Sequence, residues 1–115
     1  QPVIGESDVL AARELVKSVF VSADVAAYIV RIGAATRTHP DLRLGVSPRG
    51  TLALARGSQG MAFLRGQAFV TPDIVKAMAG AVLEHRLIVR PQAAAAGRTA
   101  SQILAEILNQ LPPPV

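Results

Sequence analysis

Ser47-Pro48-Arg49 is the stretch whose residue types and spacing point most directly to chemistry, within "LRLGVSPRGTLALARG", Leu42 to Gly57. Serine is a favoured helix N-cap, and proline fits the first helical position, where its missing N–H costs nothing. Arg49 then falls in the first turn of a helix. A cation there opposes the macrodipole, whose N-terminal end is itself positive and prefers anions. An anion held between the arginine and the helix start resolves the conflict, because a guanidinium offers planar donors and the helix end adds aligned N–H groups. Ser47 sets the cap and Pro48 pre-forms the turn, so both fix the direction in which Arg49 leaves the helix.

Other chemistries lack their residues. There is no GxxxxGK[ST] loop to cradle phosphates, no GxGxxG and no HExxH. The absence of cysteine removes thiolate catalysis, thiolate zinc sites and disulfides together, and suits a reducing compartment, with the cytoplasm as the expected location. His39 precedes a proline, and His85 lies near a helix C-terminus, where a cation suits the negative helix end. Eight scattered acids form no recognisable acid/base pair with them. Alone, the chain is expected to catalyse nothing.

The net charge of +4 comes from ten arginines and two lysines against eight acids, giving a sequence pI near 10.7. Such a balance raises nucleic-acid binding as a function class. The arginines are spread along the chain, however, and only Phe20, Tyr28, Phe63 and Phe69 could stack on bases. No specific nucleic-acid partner is expected. Mean hydropathy is +0.37, yet the apolar runs are far shorter than the roughly 20 residues that span a bilayer, so no membrane insertion is expected. At 115 residues the chain has room for one small domain, residues 1–115. "QPVIGESD" has neither the basic nor the apolar region of a signal peptide, and the missing initiator methionine suggests a piece of a longer protein.

The elements that must position Arg49 read as helix after helix. Ser7 or Asp8 can cap a first helix running to about Val19, with Val9, Ala12, Val16, Val19 and Phe20 as an expected core face. Ser22 can cap a second, Ala23 to about Thr36, with Val25, Tyr28, Ile29, Ile32 and Ala35 on one side; the residue before Pro40 leaves the helical region. The third, from Pro48 to about Arg65, contains Gly50, Gly57 and Gly60, each costing about 1 kcal/mol relative to alanine. Close packing on more than one side would explain them, which places this helix centrally. Thr71 caps a fourth, burying Ile74, Val75, Met78 and Val82 and ending near His85. "RLIVRP", Arg86 to Pro91, reads as a short extended strand, and "QAAAAG" as either a helical turn or a linker. Thr99 caps a last helix with the face Ile103, Leu104, Ile107, Leu108 and Leu111, before a proline-rich end at residues 112–115. The fold class is therefore all-α or mainly α: a compact bundle of about five helices with at most one short strand pair near Leu87 to Arg90.

The order of these pieces resembles the C-terminal helical lid of MoxR-type AAA+ ATPases. The likeness rests on "YIVRIGAATRTHPDLRLGVSPRGTLAL", then "AFVTPDIVKAMAGAVLEHRLIV", then a closing helix and a proline-rich end. The family pattern runs approximately Y-I-V, A-T-R-x-H-P, L-G-A-S-P-R-A, V-T-P-x-D-V and V-L-x-H-R. This chain departs from it at Val46 and Gly50, where the pattern has alanine, and at Ile74; a looser first turn is the expected effect of Gly50.

From Val9 to Pro114, the resemblance implies that Arg49 is the sensor 2 arginine, directed at the terminal phosphate of ATP. It implies that the nucleotide and its magnesium are held by a preceding nucleotide-binding domain, and that the fragment itself holds no cofactor. Ser47 and Pro48 aim the arginine, and Tyr28 and Ile29 approach adenine and ribose, with membership of the core as their alternative. Thr36, Arg37, His85 and Arg86 receive no role beyond local structure. The partners implied are that domain, neighbouring subunits of a ring, and a von Willebrand factor A-type protein, in a chaperone-like remodelling ATPase. An autonomous basic helical domain that binds nucleic acid is the alternative, which the scatter of arginines disfavours.

Overall fold

A computed structural model of the chain describes residues 5–114; the reading of the first four residues, and the final valine of the proline-rich end, lie outside them. Among the described residues are six helices and one two-stranded sheet. In chain order these are α1 (Glu6–Lys17), α2 (Ala23–Thr38), β1 (Leu42–Leu44), α3 (Pro48–Leu64), α4 (Pro72–Leu83), a 3₁₀ turn (Glu84–Arg86), β2 (Ile88–Val89), α5 (Pro91–Ala95) and α6 (Ala100–Gln110). The fold is a small all-α bundle with one antiparallel strand pair, as expected from the series of capped, amphipathic segments.

Four helix starts follow the caps read from the sequence. Ser22 Oγ accepts from the Val25 N–H at 3.2 Å, Ser47 Oγ from Gly50 at 3.2 Å, Thr71 Oγ1 from Ile74 at 3.3 Å and Thr99 Oγ1 from Gln102 at 3.2 Å. The start of α1 differs. Gly5 is its N-cap, and Asp8, three residues on, accepts from the Gly5 N–H at 3.1 Å, so neither Ser7 nor Asp8 is the cap itself.

α3 is central, packing against α1, α2 and α4. Its buried stripe is Gly50, Leu54, Ser58 and Ala62, one small or medium residue per turn, which lets neighbours approach closely. A β-carbon on Gly57 would lie 3.1 Å from Val82 and 3.3 Å from Met78 of α4, whereas one on Gly60 would meet open space. Close packing therefore accounts for Gly50 and Gly57 but not Gly60. α4 buries Ile74, Val75, Ala79 and Leu83, and α6 buries Ile103, Leu104 and Ile107.

One expectation fails for a tertiary reason, and the expected strand pair draws its second strand from a distant segment. The face of α1 is not core: no residue of that helix is buried, Val9 is 48% and Phe20 63% exposed, and only Val19 enters the interior. α1 leans on α3 across an open apolar groove of about 1010 Å³ that includes Val9, Ala12, Val16, Gly60, Phe63 and Leu64. The short strand also has a partner the sequence reading lacked. Leu42 pairs with Val89 and Leu44 with Ile88, with an irregularity between them, and Arg90 N–H donates to the Asp41 carbonyl at 2.8 Å. "QAAAAG" resolves as α5, closed by Gly97 at φ +88°, a left-handed conformation that suits glycine.

Candidate functional site around the start of α3

Arg49 occupies the second position of α3, after Pro48, and is exposed. The first turn holds no acidic residue, and among the described residues Arg49 joins no ion pair. The electrostatic conflict legible in the sequence therefore persists in the fold, with a cation on the positive end of a helix and no carboxylate to offset it.

The direction of that helix start is set by α2. Thr36, 1% exposed, accepts the Val46 N–H on Oγ1 at 2.8 Å and donates to the Gly33 carbonyl at 2.6 Å. Arg37, the next residue, donates through Nη1 to the Val46 carbonyl at 2.5 Å. Both backbone polar groups of Val46 are thus held by consecutive residues of α2, one residue before the Ser47 cap. The approach is close: a β-carbon on Gly45 would lie 2.6 Å from the Thr36 carbonyl and the Arg37 nitrogen, so only glycine fits. One turn earlier, a β-carbon on Gly33 would collide with Thr51 Oγ1 of α3.

Val46 and Gly50, the two departures from the family pattern, are a packed pair. Val46 is fully buried, and its Cγ1 would collide with a Gly50 β-carbon; Arg86 Cδ would sit 3.3 Å from that carbon. Gly50 therefore makes room for the larger Val46, and the first turn carries its cap bond from Ser47.

Tyr28 and Ile29 lie in the core, 0% and 2% exposed, and Ile29 also lines a cavity of about 400 Å³ with Val21, Pro48 and Thr51 beside the start of α3. Burial raises the Tyr28 pKa, with Arg31 opposing and Asp73 adding to the shift, and the hydroxyl has no hydrogen-bond partner among the described residues.

A polar brace ties the α2–β1 loop to α6. His39 Nδ1 accepts the Asp41 N–H at 3.0 Å, which leaves Nε2–H to donate to Glu106 Oε1 at 3.0 Å. Arg98 bridges Asp41 at 3.0 Å and Glu106 at 2.8 Å. The Glu106 carboxyl is held below its usual range, first by the hydrogen bond from His39 and then by that from Arg98. Sequence spacing showed no link among these four residues.

The arginines, dispersed along the sequence, are not all dispersed in space. Arg37, Arg43 and Arg86 line one cavity of about 440 Å³ with Leu44, Gly45, Val46 and Ser47. His85, beside Arg86, is exposed on the 3₁₀ turn. Among the described residues no group of three or more His, Asp or Glu is placed to hold a metal, and no helix is long and apolar enough to cross a membrane.

A helical bundle with a capped, cation-bearing helix start is the class of protein that the fold and site define. Residues 34–107 match the family model described as AAA lid domain, and the chain belongs to that family, as a lid of the MoxR-like AAA+ kind. It is 36% identical over its full length to the uncharacterized protein YeaC of Bacillus subtilis, and 29% identical over 96 residues, 76% of the chain, to the chaperone MoxR1 of Mycobacterium tuberculosis. A crystal structure of a candidate ATPase from Cytophaga hutchinsonii superposes with a TM-score of 0.90 over 95% of the chain at 29% identity. The chain spans 36%, 26% and 36% of the lengths of these three proteins.

Proposed function

We propose that this lid presents Arg49 as the sensor 2 arginine of a MoxR-like AAA+ ATPase, directed at the terminal phosphate of ATP held by the nucleotide-binding domain of the same protein. The observation that carries the reading is the exposed, unpaired guanidinium on a helix start with no acid in its first turn. Such an arrangement fits a phosphate oxyanion, which both the fork of donors and the helix end favour. ATP supplies the anionic phosphate, with its magnesium carried by the nucleotide-binding domain.

The chain's own residues aim the arginine. Ser47 caps the helix, Pro48 fixes the first turn, and Thr36 and Arg37 hold Val46 so that the helix start moves with α2. Tyr28 and Ile29 serve from behind, fixing α2 from within the core. Displacement of α2 would therefore swing Arg49 toward or away from the nucleotide, a means for the lid to couple phosphate state to contacts with neighbouring subunits of a ring. In the whole protein this belongs to a chaperone-like remodelling activity in the cytoplasm, with a von Willebrand factor A-type protein as a partner.

The test is ATP turnover by the full-length protein that carries this lid. Arg49→Ala is expected to lower it by roughly 10- to 1000-fold, the range for loss of a charge-assisted contact to developing phosphate charge. Turnover at the parental rate, with unchanged nucleotide-dependent assembly, would overturn the assignment.

A further inference from the structure

The cavity beside the α3 start has a composition that the sensor role of Arg49 does not use. Arg37, Arg43 and Arg86 line it, no carboxylate does, and Arg49 is not among its lining residues. These three arginines come from α2, β1 and the 3₁₀ turn, and they lie up to 49 positions apart in sequence (86 − 37). None of them takes part in the ion pairs found among the described residues.

Two of the guanidinium groups are partly fixed in place. Arg37 spends one N–H on the Val46 carbonyl, and Arg86 donates through Nε to the Val82 carbonyl at 3.1 Å while its stem packs over Gly50. Each keeps further N–H donors, since a guanidinium carries five. Arg43 stands on β1 with its side chain exposed. Three like charges around one concavity repel one another, and an oxyanion with several acceptor oxygens relieves that repulsion while matching the planar forks.

We infer that this cavity is a second oxyanion site, taking a di- or triphosphate group on Arg37, Arg43 and Arg86. The volume of about 440 Å³ admits a phosphate chain, and Ser47 is among the residues that line it. The site lies on the lid alone and does not rest on the sensor assignment of Arg49. Its consequence is a lid that responds to phosphate concentration through the same α2–β1–α3 corner that aims Arg49.

The experiment is an amide and guanidinium Nε chemical-shift titration of the 115-residue chain with pyrophosphate at low ionic strength. Saturable shifts are expected at Gly45, Val46, Ser47 and the three arginines. Arg43→Gln and Arg86→Gln should each weaken binding by roughly tenfold or more, as for lost hydrogen bonds to a charged group. Arg65→Gln, at the far end of α3, should leave it unchanged. The amide spectra of the variants report whether each is folded; Arg37 is left intact because it also holds the backbone.

Tripolyphosphate and ATP form the second arm. Equal affinities would assign the site to the phosphate chain itself and tighter ATP binding to a nucleotide, and either supports the inference. Uniform, non-saturating shifts, equal losses in Arg65→Gln, or loss on Arg49→Ala alone would overturn it. The last of these would return the anion to Arg49 and leave the proposed function standing.

Discussion

Val46 Cγ1 would collide with a β-carbon on Gly50, so these residues, four apart and one on each side of the Ser47-Pro48-Arg49 turn, are a single packing unit. Changes at either should be non-additive. Gly50→Ala inserts a methyl group against a buried valine and is expected to destabilise by about 1–3 kcal/mol, despite alanine's better helix propensity. Val46→Ala should also destabilise, through loss of buried volume. The double variant, which restores the alanines of the family pattern, should lie closer to the parent than the sum of the two. Urea unfolding of the four proteins in a double-mutant cycle measures the coupling, and additivity within about 0.5 kcal/mol would dissolve the pair.

Thr36 is the hinge pin of the same corner. Thr36→Val keeps the shape but leaves the Val46 N–H without its acceptor in the interior, which should cost about 1–3 kcal/mol. Hydrogen exchange at the Val46 amide should accelerate well beyond the change at α4, because the lost bond is local. Equal acceleration throughout the bundle would mean that the contact is no local clamp.

Acid should loosen the brace between the α2–β1 loop and α6. The Glu106 carboxyl is held below its usual range by His39 and Arg98, so the folded chain binds that proton less readily than the unfolded chain. Stability from Glu106 is therefore present above the ordinary carboxylate pKa and is lost as pH falls through the lower, folded value. Urea midpoints measured from about pH 6 down to about pH 3 should fall more steeply for the parent than for Glu106→Gln. Parallel curves would remove Glu106 from the acid response.

In the full-length protein, Arg49→Lys should restore only part of the turnover lost in Arg49→Ala, since lysine keeps the charge and loses the planar fork. The lid itself should unfold at nearly the same urea concentration in all three forms, because Arg49 is exposed and unpaired. Full rescue by lysine would reduce the arginine to a point charge.

Duplex DNA should bind weakly and without sequence preference, and binding should vanish near physiological salt. A fluorescence anisotropy titration at rising salt checks this, and a sequence-selective complex surviving about 150 mM salt would restore the nucleic-acid reading.

The chain's sequence by itself determined the features that depend on neighbours within a turn or two. Ser22, Ser47, Thr71 and Thr99 cap their helices because a side-chain oxygen reaches an N–H only three residues on, and the Arg49 conflict with the helix end is equally local. The stripes of α2 and α6 were legible because 3.6-residue periodicity states which side is apolar, whereas in α4 Ile74 and Val75 were read correctly and the buried Ala79 and Leu83 were not. Periodicity does not state what covers that side, so α1 displays the same pattern and still leaves every one of its residues at least partly exposed. The tertiary structure alone decided what needed the chain to reverse: pairing of β1 with β2, the clamp of Thr36 and Arg37 on Val46, the Val46–Gly50 fit, and the brace from His39 to Glu106. The gathering of Arg37, Arg43 and Arg86 belongs to that second group. Spacing along a chain constrains distance only within one rigid element; between elements, packing of the buried residues decides which side chains meet.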